Sequence, residues 1–182
     1  VTIYTAICAE APQIDTFQAG IKTLFGLRNQ LMNTIVSFKS ELSREDFNAI
    51  PFINAHGYHC KTIAYSLWHI FRMEDIVAHT LIHEDEQIFF KNNYQERIHA
   101  PLITTGNELV KKQIADFSKL LNLKELYLYM EEVKASTENI IQNLSFDEMK
   151  NKITEDKKEL LQSLHVVSED ENAFWLIDYW CG

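Results

Sequence analysis

Two side chains that could take part in chemistry, His69 and Glu74, stand within the long apolar stretch from Thr62 to Ile82. A neutral imidazole among packed helices is a suitable ligand for Zn, Ni or Fe. The alternative is a core histidine hydrogen-bonded to another helix, because a buried polar group without a partner is costly. Glu74 lies about 140° around a helix from His69, so the two do not share one face. Glu74 is therefore predicted to form an ion pair, with Arg28 as one partner, or to orient a ligand group of a neighbouring helix, or to be solvated.

A second pair of imidazoles lies near the end of the same stretch. His79 and His83 have the i, i+4 spacing that lets two histidines bind one metal from one helix face. Along the axis they lie about 15 to 20 Å from His69, too far for a common site within this helix. Favourable placement of histidines near the negative C-terminal end of a helix is the preferred interpretation.

A third group of metal-binding residue types, His56, His59 and Cys60, precedes the stretch. These side chains suit Zn, but their spacing matches no zinc module, and a fourth ligand would have to come from elsewhere. The alternative is a polar loop, since Pro51 and Gly57 mark this segment as one. Such a loop could also line a pocket beside the helix that follows.

Nucleophile motifs are missing from the sequence. It contains no Gly-rich phosphate loop, no GxSxG elbow and no Cys-His nucleophile pattern. The cysteines Cys8, Cys60 and Cys181 are far apart and odd in number, which does not indicate a disulfide framework. A reducing compartment, the cytoplasm, is the predicted location.

Composition limits the classes of function. The formal net charge of -9 argues against a nucleic-acid partner, because affinity for phosphates depends on Lys and Arg. No apolar run approaches the length of a membrane span, and no signal peptide is recognised. A chain of 182 residues with 46% hydrophobic content, five Gly and three Pro is typical of one helical globular domain, predicted to cover residues 1–182.

The elements that must position these side chains are long helices. Apolar residues recur every three or four positions in Asp15 to Leu42, Thr62 to Ile82 and Leu123 to Leu144, as in packed helices. The predicted inward residues of the first are Phe17, Ile21, Leu24, Leu31, Ile35, Phe38 and Leu42, with Arg28 the one charged member. Those of the last are Leu126, Met130, Val133, Thr137 and Ile140 or Ile141. Val1 to Pro12 is predicted to be an extended arm.

Capping patterns predict where shorter elements begin. Ser43 with Asp46 opens a short turn that reaches Phe47, and two more boxes are Ser145 to Glu148 and Ser168 to Glu171. Thr105 to Glu108 is predicted to open a helix that Asn122 ends. Its predicted inward residues are Leu109, Ile114, Phe117, Leu120 and Leu121. The aromatic residues Tyr65, Trp68, Phe71, Trp175, Tyr179 and Trp180 are predicted to lie in the core or in an interface.

The central stretch resembles a known family. Trp68, His69, Ile70, Glu74 and Asp75 match the pattern W-H-I-x-x-x-E-D of the second helix of the DinB-like (YfiT-like) superfamily. The resemblance implies an up-down four-helix bundle, here with short accessory helices and the extended N-terminal arm. It also implies a His-based divalent metal site, with His69 as one of three histidine ligands. Some relatives are thiol-dependent transferases or isomerases.

The sequence departs from the family where the other two histidines are expected. They lie i, i+4 on a later helix in the family, whereas here the only histidine after His99 is His165, which has no i+4 partner. One explanation is that the chain stops before the helix that carries the pair, and the apolar ending Trp180-Cys181-Gly182 favours it. The other is a member without the site.

Two functions follow as hypotheses. The first is a divalent-metal-dependent enzyme, such as a thiol-dependent transferase or hydrolase, in which His69 is one metal ligand and a low-molecular-weight thiol is a cofactor. The second is a non-catalytic bundle that binds a small apolar ligand or a protein partner, with His69 as a satisfied core residue. Family habit and the Trp-rich end also predict a homodimer. The substrate and the catalytic residues are not identified by the sequence.

Overall fold

The computed structural model describes residues 14–51 and 61–181, and within them all regular secondary structure is helical. In chain order the helices are α1 (Ile14–Glu41), α2 (Arg44–Asn48), α3 (Ile63–Asp75), α4 (Ile88–Lys91), α5 (Tyr94–Ile98), α6 (Lys112–Leu120), α7 (Leu123–Asn143), α8 (Glu155–Ser163) and α9 (Glu171–Cys181). Helix α3 is followed directly by a π-helical segment, Ile76–His83, and Glu148–Lys150 form one 3₁₀ turn. The predicted all-α class is confirmed for these residues, while the predicted arm lies outside them.

The chain separates into two compact units. The first comprises the residues up to Leu42 together with Glu138–Asn151, and the second comprises Ser43–Thr137 and the residues from Lys152 onward. The single domain predicted for residues 1–182 stays a prediction. Within residues 14–51 and 61–181, no helix is both long and apolar enough to cross a membrane.

In the first unit, α1 buries part of the stripe that its periodicity predicts, and Ile21, Leu24, Phe38 and Leu42 are only half-buried. Phe17 and Ile35 are buried, and the Phe17 ring packs on Phe146 with ring centroids 5.4 Å apart. Leu31 is exposed, so its predicted inward position is wrong. Met32, one residue and therefore about 100° further around the helix, is buried instead.

In the second unit, α3 begins where the sequence predicts because Thr62 caps it. The Thr62 hydroxyl accepts a hydrogen bond from the Tyr65 amide at 3.1 Å and shares another with the Ser118 hydroxyl at 2.5 Å. The Trp68 ring contacts the Phe117 ring on α6 at 4.7 Å between centroids. The cap and this contact join α3 to α6, and Tyr65, Trp68 and Phe71 are buried as predicted.

The helix predicted to open at Thr105 begins instead at Lys112. Gly106 has a φ of 77°, in the left-handed region that ends a helical path. Glu108 accepts a hydrogen bond from the Thr104 hydroxyl at 2.5 Å rather than from a helix N-terminus. This segment is therefore a turn, and its carbonyl groups reach α3.

Helix α7 buries all of its predicted inward residues, whereas only three of the five predicted around α6 are buried, and Leu109 is half-buried before α6 begins. Ile114, Phe117 and Leu121 are buried, but Leu120 is exposed because α6 ends there. Asn122 separates the two helices, as predicted. The buried residues of α7 include every predicted one: Leu126, Met130, Val133, Thr137, Ile140 and Ile141.

Two of the remaining capping boxes are confirmed. Ser43 and Asp46 exchange side-chain and backbone hydrogen bonds at the start of α2, and Ser145 and Glu148 do the same before the 3₁₀ turn.

Helix α9 begins at Glu171, as the sequence predicts. Ser168 accepts a hydrogen bond from the Asp170 amide just before it. On this helix Trp175 and Tyr179 are exposed, so a core position is wrong for both. A position in an interface stays a prediction.

Candidate functional site

His69, the predicted metal ligand, lies on α3 with only 8% of its surface exposed. Its Nδ1 is 2.6 Å from the Thr105 carbonyl oxygen. A carbonyl oxygen only accepts, so Nδ1 carries the proton and Nε2 carries the lone pair. The imidazole also stacks on the Tyr65 ring, with 5.4 Å between centroids and 9° between planes. The ring is therefore held in one orientation and one tautomer.

The surroundings of His69 favour its neutral form. Burial lowers the pKa of His69, the hydrogen bond to Thr105 opposes this, and the charge of Lys61 lowers the pKa further. Lys61 precedes α3, with its Nζ 5.7 Å from the centre of the Tyr65 ring, and burial lowers the pKa of Lys61 as well. A neutral imidazole can offer Nε2 to an electrophile or a metal ion.

A carboxylate belongs to the same cluster. Burial and the charge of Glu108 together raise the pKa of Tyr65, whose hydroxyl donates to the Gly106 carbonyl at 2.9 Å. Glu108 Oε1 is bound by Thr104, whereas its Oε2 is buried without a hydrogen-bond partner among the described residues. We call Lys61, Tyr65, His69 and Glu108 the His69 cluster. It combines a base, an amine and a carboxylate, the residue types that bind metals and move protons.

Asp75, the neighbour of Glu74, is the one acidic side chain that is completely buried among the described residues. The backbone amides of Ile88 and Phe89 donate to its two carboxylate oxygens at 2.9 Å each, and the Tyr129 hydroxyl donates to Oδ2 at 2.9 Å. Asp75 therefore fixes the first turn of α4 against α3. The backbone amides and Tyr129 satisfy a charge that would otherwise be costly to bury.

Arg72 completes this buried polar network. Its Nη1 lies 3.4 Å from Asp75 Oδ2, and its Nη2 donates to the Gln87 side-chain oxygen at 2.7 Å and to the Ile103 carbonyl at 2.9 Å. The guanidinium also lies 4.3 Å from the centre of the Phe89 ring. Burial raises the pKa of Asp75, while the charge of Arg72 and the hydrogen bonds oppose that shift. These contacts give Arg72 and Asp75 a structural role.

Glu74, which is predicted to pair with Arg28 or to be solvated, lies next to this network. Glu74 is half-buried. Arg28, its suggested partner, has Nε 3.5 Å from Glu138 Oε1. The ion-pair role of Glu74 stays a prediction.

His79 lies in the π-helical segment and is 2% exposed. Its Nδ1 is 2.5 Å from Asp85 Oδ1, and its Nε2 is 3.1 Å from the Ser136 hydroxyl. Asp75 Oδ1 is 3.9 Å from the same Nε2. His83 is exposed in the last turn of the segment, as expected for a histidine near a helix C-terminus. For His79 that interpretation is incomplete, because side chains from two other parts of the chain bind its ring.

The other predicted metal-binding residues do not add ligands within the described chain. Residues 14–51 and 61–181 contain no group of three or more His, Cys, Asp or Glu side chains placed to hold a metal ion. His56, His59 and Cys60 lie outside those residues, and so does Cys8. Cys181 is half-buried, and burial raises the pKa of its thiol, which does not favour a reactive thiolate.

Comparison with known proteins gives no family for this chain. No protein family model matches the sequence, and no curated protein matches it significantly. The resemblance of the Trp68 to Asp75 stretch to DinB-like proteins therefore stays a prediction.

Among the buried polar residues that were not singled out from the sequence, one pair carried a recognisable signal. Arg72 and Asp75 are opposite charges three residues apart inside an apolar helix, a spacing that places them side by side. Ser136 and Asp85 carried no such signal. Ser136 is 57 residues from His79 in the chain, and only the fold brings the two together.

Proposed function

We propose that this protein is a divalent-metal-dependent enzyme of the DinB-like kind, an up-down four-helix bundle in which His69 Nε2 is one metal ligand. Zn, Ni or Fe suits an imidazole in such surroundings. The observation that supports the proposal is the fixed, neutral His69. Histidines that bind metals usually donate their other ring N–H to a carbonyl or carboxylate, and His69 Nδ1 donates to Thr105 at 2.6 Å.

The residues of the His69 cluster fit this role. The lowered pKa of His69 leaves little proton competition for Nε2 near neutral pH. Glu108 Oε2, buried without a hydrogen-bond partner among the described residues, could accept a proton from a bound molecule. A metal ion held there would supply a Lewis acid and would lower the pKa of a water or a low-molecular-weight thiol. Transfer to or from such a thiol is the reaction class that we propose.

The cellular setting of the proposal follows from composition. Three cysteines, odd in number and far apart, suit the cytoplasm, and the net charge of -9 makes a small molecule a better substrate than a nucleic acid.

The test is metal binding by the full chain. The protein is stripped with a chelator, desalted and titrated with Zn²⁺, Ni²⁺ and Fe²⁺ in a calorimeter. We expect His69→Gln to weaken binding of the preferred metal at least about tenfold, since even residues that only orient a ligand change affinity by about 10- to 100-fold. His83→Gln, which changes an exposed histidine, is the matched control and should bind as the wild type does.

Two results would contradict the proposal. Equal affinity of the wild type and His69→Gln would mean that the metal ligands lie elsewhere. A wild-type protein that binds none of the three metals would favour the second hypothesis. Circular dichroism of each variant shows whether the helices are retained.

A second candidate function, binding of a small apolar ligand without catalysis, is favoured by a cleft in the C-terminal part of the chain. The cleft has a volume of about 440 Å³ and is lined by Gln162, Val167, Glu169, Phe174 and Ile177. Val167, Phe174 and Ile177 give the cleft an apolar side, and Gln162 and Glu169 add polar groups that could orient a ligand. A fluorescent apolar probe should bind to it with lower affinity in Phe174→Lys than in the wild type, and unchanged affinity would exclude the cleft.

The predicted homodimer belongs with this second candidate, because Trp175 and Tyr179 are exposed on α9 with ring centroids 5.8 Å apart. Aromatic residues are enriched in protein interfaces. Light scattering should give twice the chain mass of 21.3 kDa, and a monomeric mass would remove the dimer.

A further inference from the structure

Three side chains that the sequence analysis did not connect form one hydrogen-bonded chain in the second unit. Ser136 Oγ is 3.1 Å from His79 Nε2, and His79 Nδ1 is 2.5 Å from Asp85 Oδ1. Because a carboxylate only accepts, Nδ1 donates to Asp85, and in the neutral form of the ring Nε2 offers its lone pair to the Ser136 hydroxyl. This is the order of groups in a serine nucleophile, its general base and the acid that orients the base.

The three residues come from three different elements. His79 lies in the π-helical segment, Asp85 follows that segment, and Ser136 lies on α7. The Asp85 backbone amide donates to the His79 carbonyl at 2.9 Å, so the base and its acid are joined through the backbone as well as through the side chains. π-Helical turns are rare and occur frequently at functional sites.

The position of Ser136 relative to His79 is also fixed. Tyr129 lies seven residues before Ser136 on α7, and its hydroxyl donates to Asp75. Asp75 is the last residue of α3 and lies four residues before His79. The hydrogen bonds from Tyr129 to Asp75 and from Ser136 to His79 therefore hold α7 in a fixed position along α3 and the π-helical segment. Side chains held in this way lose little freedom when they react.

We propose that Ser136 is a nucleophile activated by His79, with Asp85 as the residue that positions the imidazole, and that this site hydrolyses small carboxylic esters. The site is independent of His69, which lies roughly 15 Å away along the helix. Ser136 is half-buried and Asp85 has 38% of its side chain exposed, so the chain of hydrogen bonds runs from the surface to a partly covered hydroxyl. That partial cover favours short acyl groups.

The reaction balances with these groups and water. Ser136 Oγ bonds to the ester carbonyl carbon while its proton passes to His79 Nε2. The ester C–O bond breaks, and the leaving alkoxide takes that proton to depart as the alcohol. Water, activated in the same way, then releases the carboxylic acid and restores the serine. The His79 imidazolium forms when the ring takes the serine proton. Asp85, 2.5 Å from Nδ1, and Asp75, 3.9 Å from Nε2, both stabilise its charge.

The experiment that tests the nucleophile is labelling of the full chain with an alkyl fluorophosphonate. The serine oxygen bonds to phosphorus, fluoride leaves, and the adduct is located by peptide mass mapping. We expect a single adduct, on Ser136, and none in Ser136→Ala. Ser66→Ala removes another half-buried helical hydroxyl, which donates to the Thr62 carbonyl at 2.8 Å, and should label like the wild type.

The roles of the other two residues predict rates. His79→Gln should slow labelling by about 10²- to 10⁴-fold, the usual contribution of a general base. Asp85→Asn changes a partly exposed side chain, so the fold is retained even if that of His79→Gln is not. It should slow labelling too. Asp85→Glu, which keeps a carboxylate for Nδ1, should recover part of the labelling rate that Asp85→Asn loses.

Each outcome decides the proposal. A wild-type chain that does not react, or a Ser136→Ala chain that still gains the adduct, would overturn the assignment of the nucleophile. An unchanged labelling rate in Asp85→Asn, or an Asp85→Glu variant as slow as Asp85→Asn, would show that the Asp85 carboxylate does not position the base. Loss of labelling in Ser136→Ala, together with slow labelling in Asp85→Asn and its recovery in Asp85→Glu, would support the site whatever the metal titrations show.

Discussion

The buried hydrogen bond from Tyr129 to Asp75 gives the sharpest test of how this fold is stabilised. Tyr129→Phe keeps the ring and removes only the hydroxyl, which is 2.9 Å from Asp75 Oδ2. Both residues are fully buried, so water cannot replace the lost donor. Oδ2 keeps the Phe89 amide at 2.9 Å and the more distant Arg72 at 3.4 Å. A hydrogen bond to a charged group contributes about 1.5 to 3 kcal/mol, and that loss is expected in the free energy of unfolding.

The chain offers a matched control in Tyr94→Phe. The Tyr94 hydroxyl also donates to a carboxylate, Glu132 Oε1, at 2.7 Å, but Glu132 is exposed. Burial and Glu132 raise the pKa of Tyr94 to about 12, and the pKa of Tyr129 is raised well above its ordinary value. Both phenols are therefore protonated donors at neutral pH. Water can replace the donor at Glu132, so we expect Tyr94→Phe to cost about 0.5 kcal/mol.

The assay is urea unfolding followed by circular dichroism, with the dependence on urea compared between variants. For a chain of this size, a loss of about 1.5 to 3 kcal/mol corresponds to a fall in Tm of roughly 3 to 12 °C. Equal costs for Tyr129→Phe and Tyr94→Phe would refute the reasoning, because burial of the acceptor would then make no difference. A cost of Tyr129→Phe below about 0.5 kcal/mol would do the same.

Two further predictions concern Gly106 and His69. Gly106→Ala would place a Cβ 2.8 Å from Trp68 in a backbone with a φ of 77°, so it should destabilise the fold by about 1 to 3 kcal/mol. Gly26→Ala is the control, because a Cβ there has no atom within 4 Å, and it should stabilise the fold by about 0.5 to 1 kcal/mol. Urea unfolding compares the two variants, and equal effects on the free energy of unfolding would contradict the crowding at Gly106. Because burial lowers the folded-state pKa of His69 below 6.5, the unfolded chain binds more protons in that window, and stability should fall as pH drops below about 6.5. His69→Gln should lack this part of the pH dependence in urea unfolding without metal, and an identical dependence would show that other groups cause it.

The helices were largely predictable from the sequence because helix formation is a local property. Repeats of three and four residues gave α1 and α7 within about two residues, and they gave α3 only together with the π-helical segment Ile76–His83 that follows it. Capping side chains fixed local ends, as Ser43 does for α2 and Thr62 does for α3. A capping pattern alone was not sufficient at Thr105 to Glu108, because the left-handed Gly106 and the contacts of the turn with α3 prevail there.

The candidate sites were predictable only in part. The sequence singled out His69 as a polar group in an apolar helix, and the fold places it against the Thr105 carbonyl. It also singled out Glu74, while the residue that the fold buries is its neighbour Asp75. Periodicity cannot separate adjacent residues near the boundary of a buried face, since the exact rotation of a helix is set by what packs against it.

The sequence by itself determined the helical class, most helix boundaries and the apolar stripes, because each depends on neighbours within about one turn of chain. Tertiary structure decided which polar groups meet. His69 finds Thr105 36 residues away, Asp75 finds Tyr129 54 residues away, and His79 finds Ser136 57 residues away. The physical reason is that burial removes water from these groups, so each must take a partner from whichever element packs beside it. That choice is made by the packing of the whole unit and leaves no repeat in the sequence.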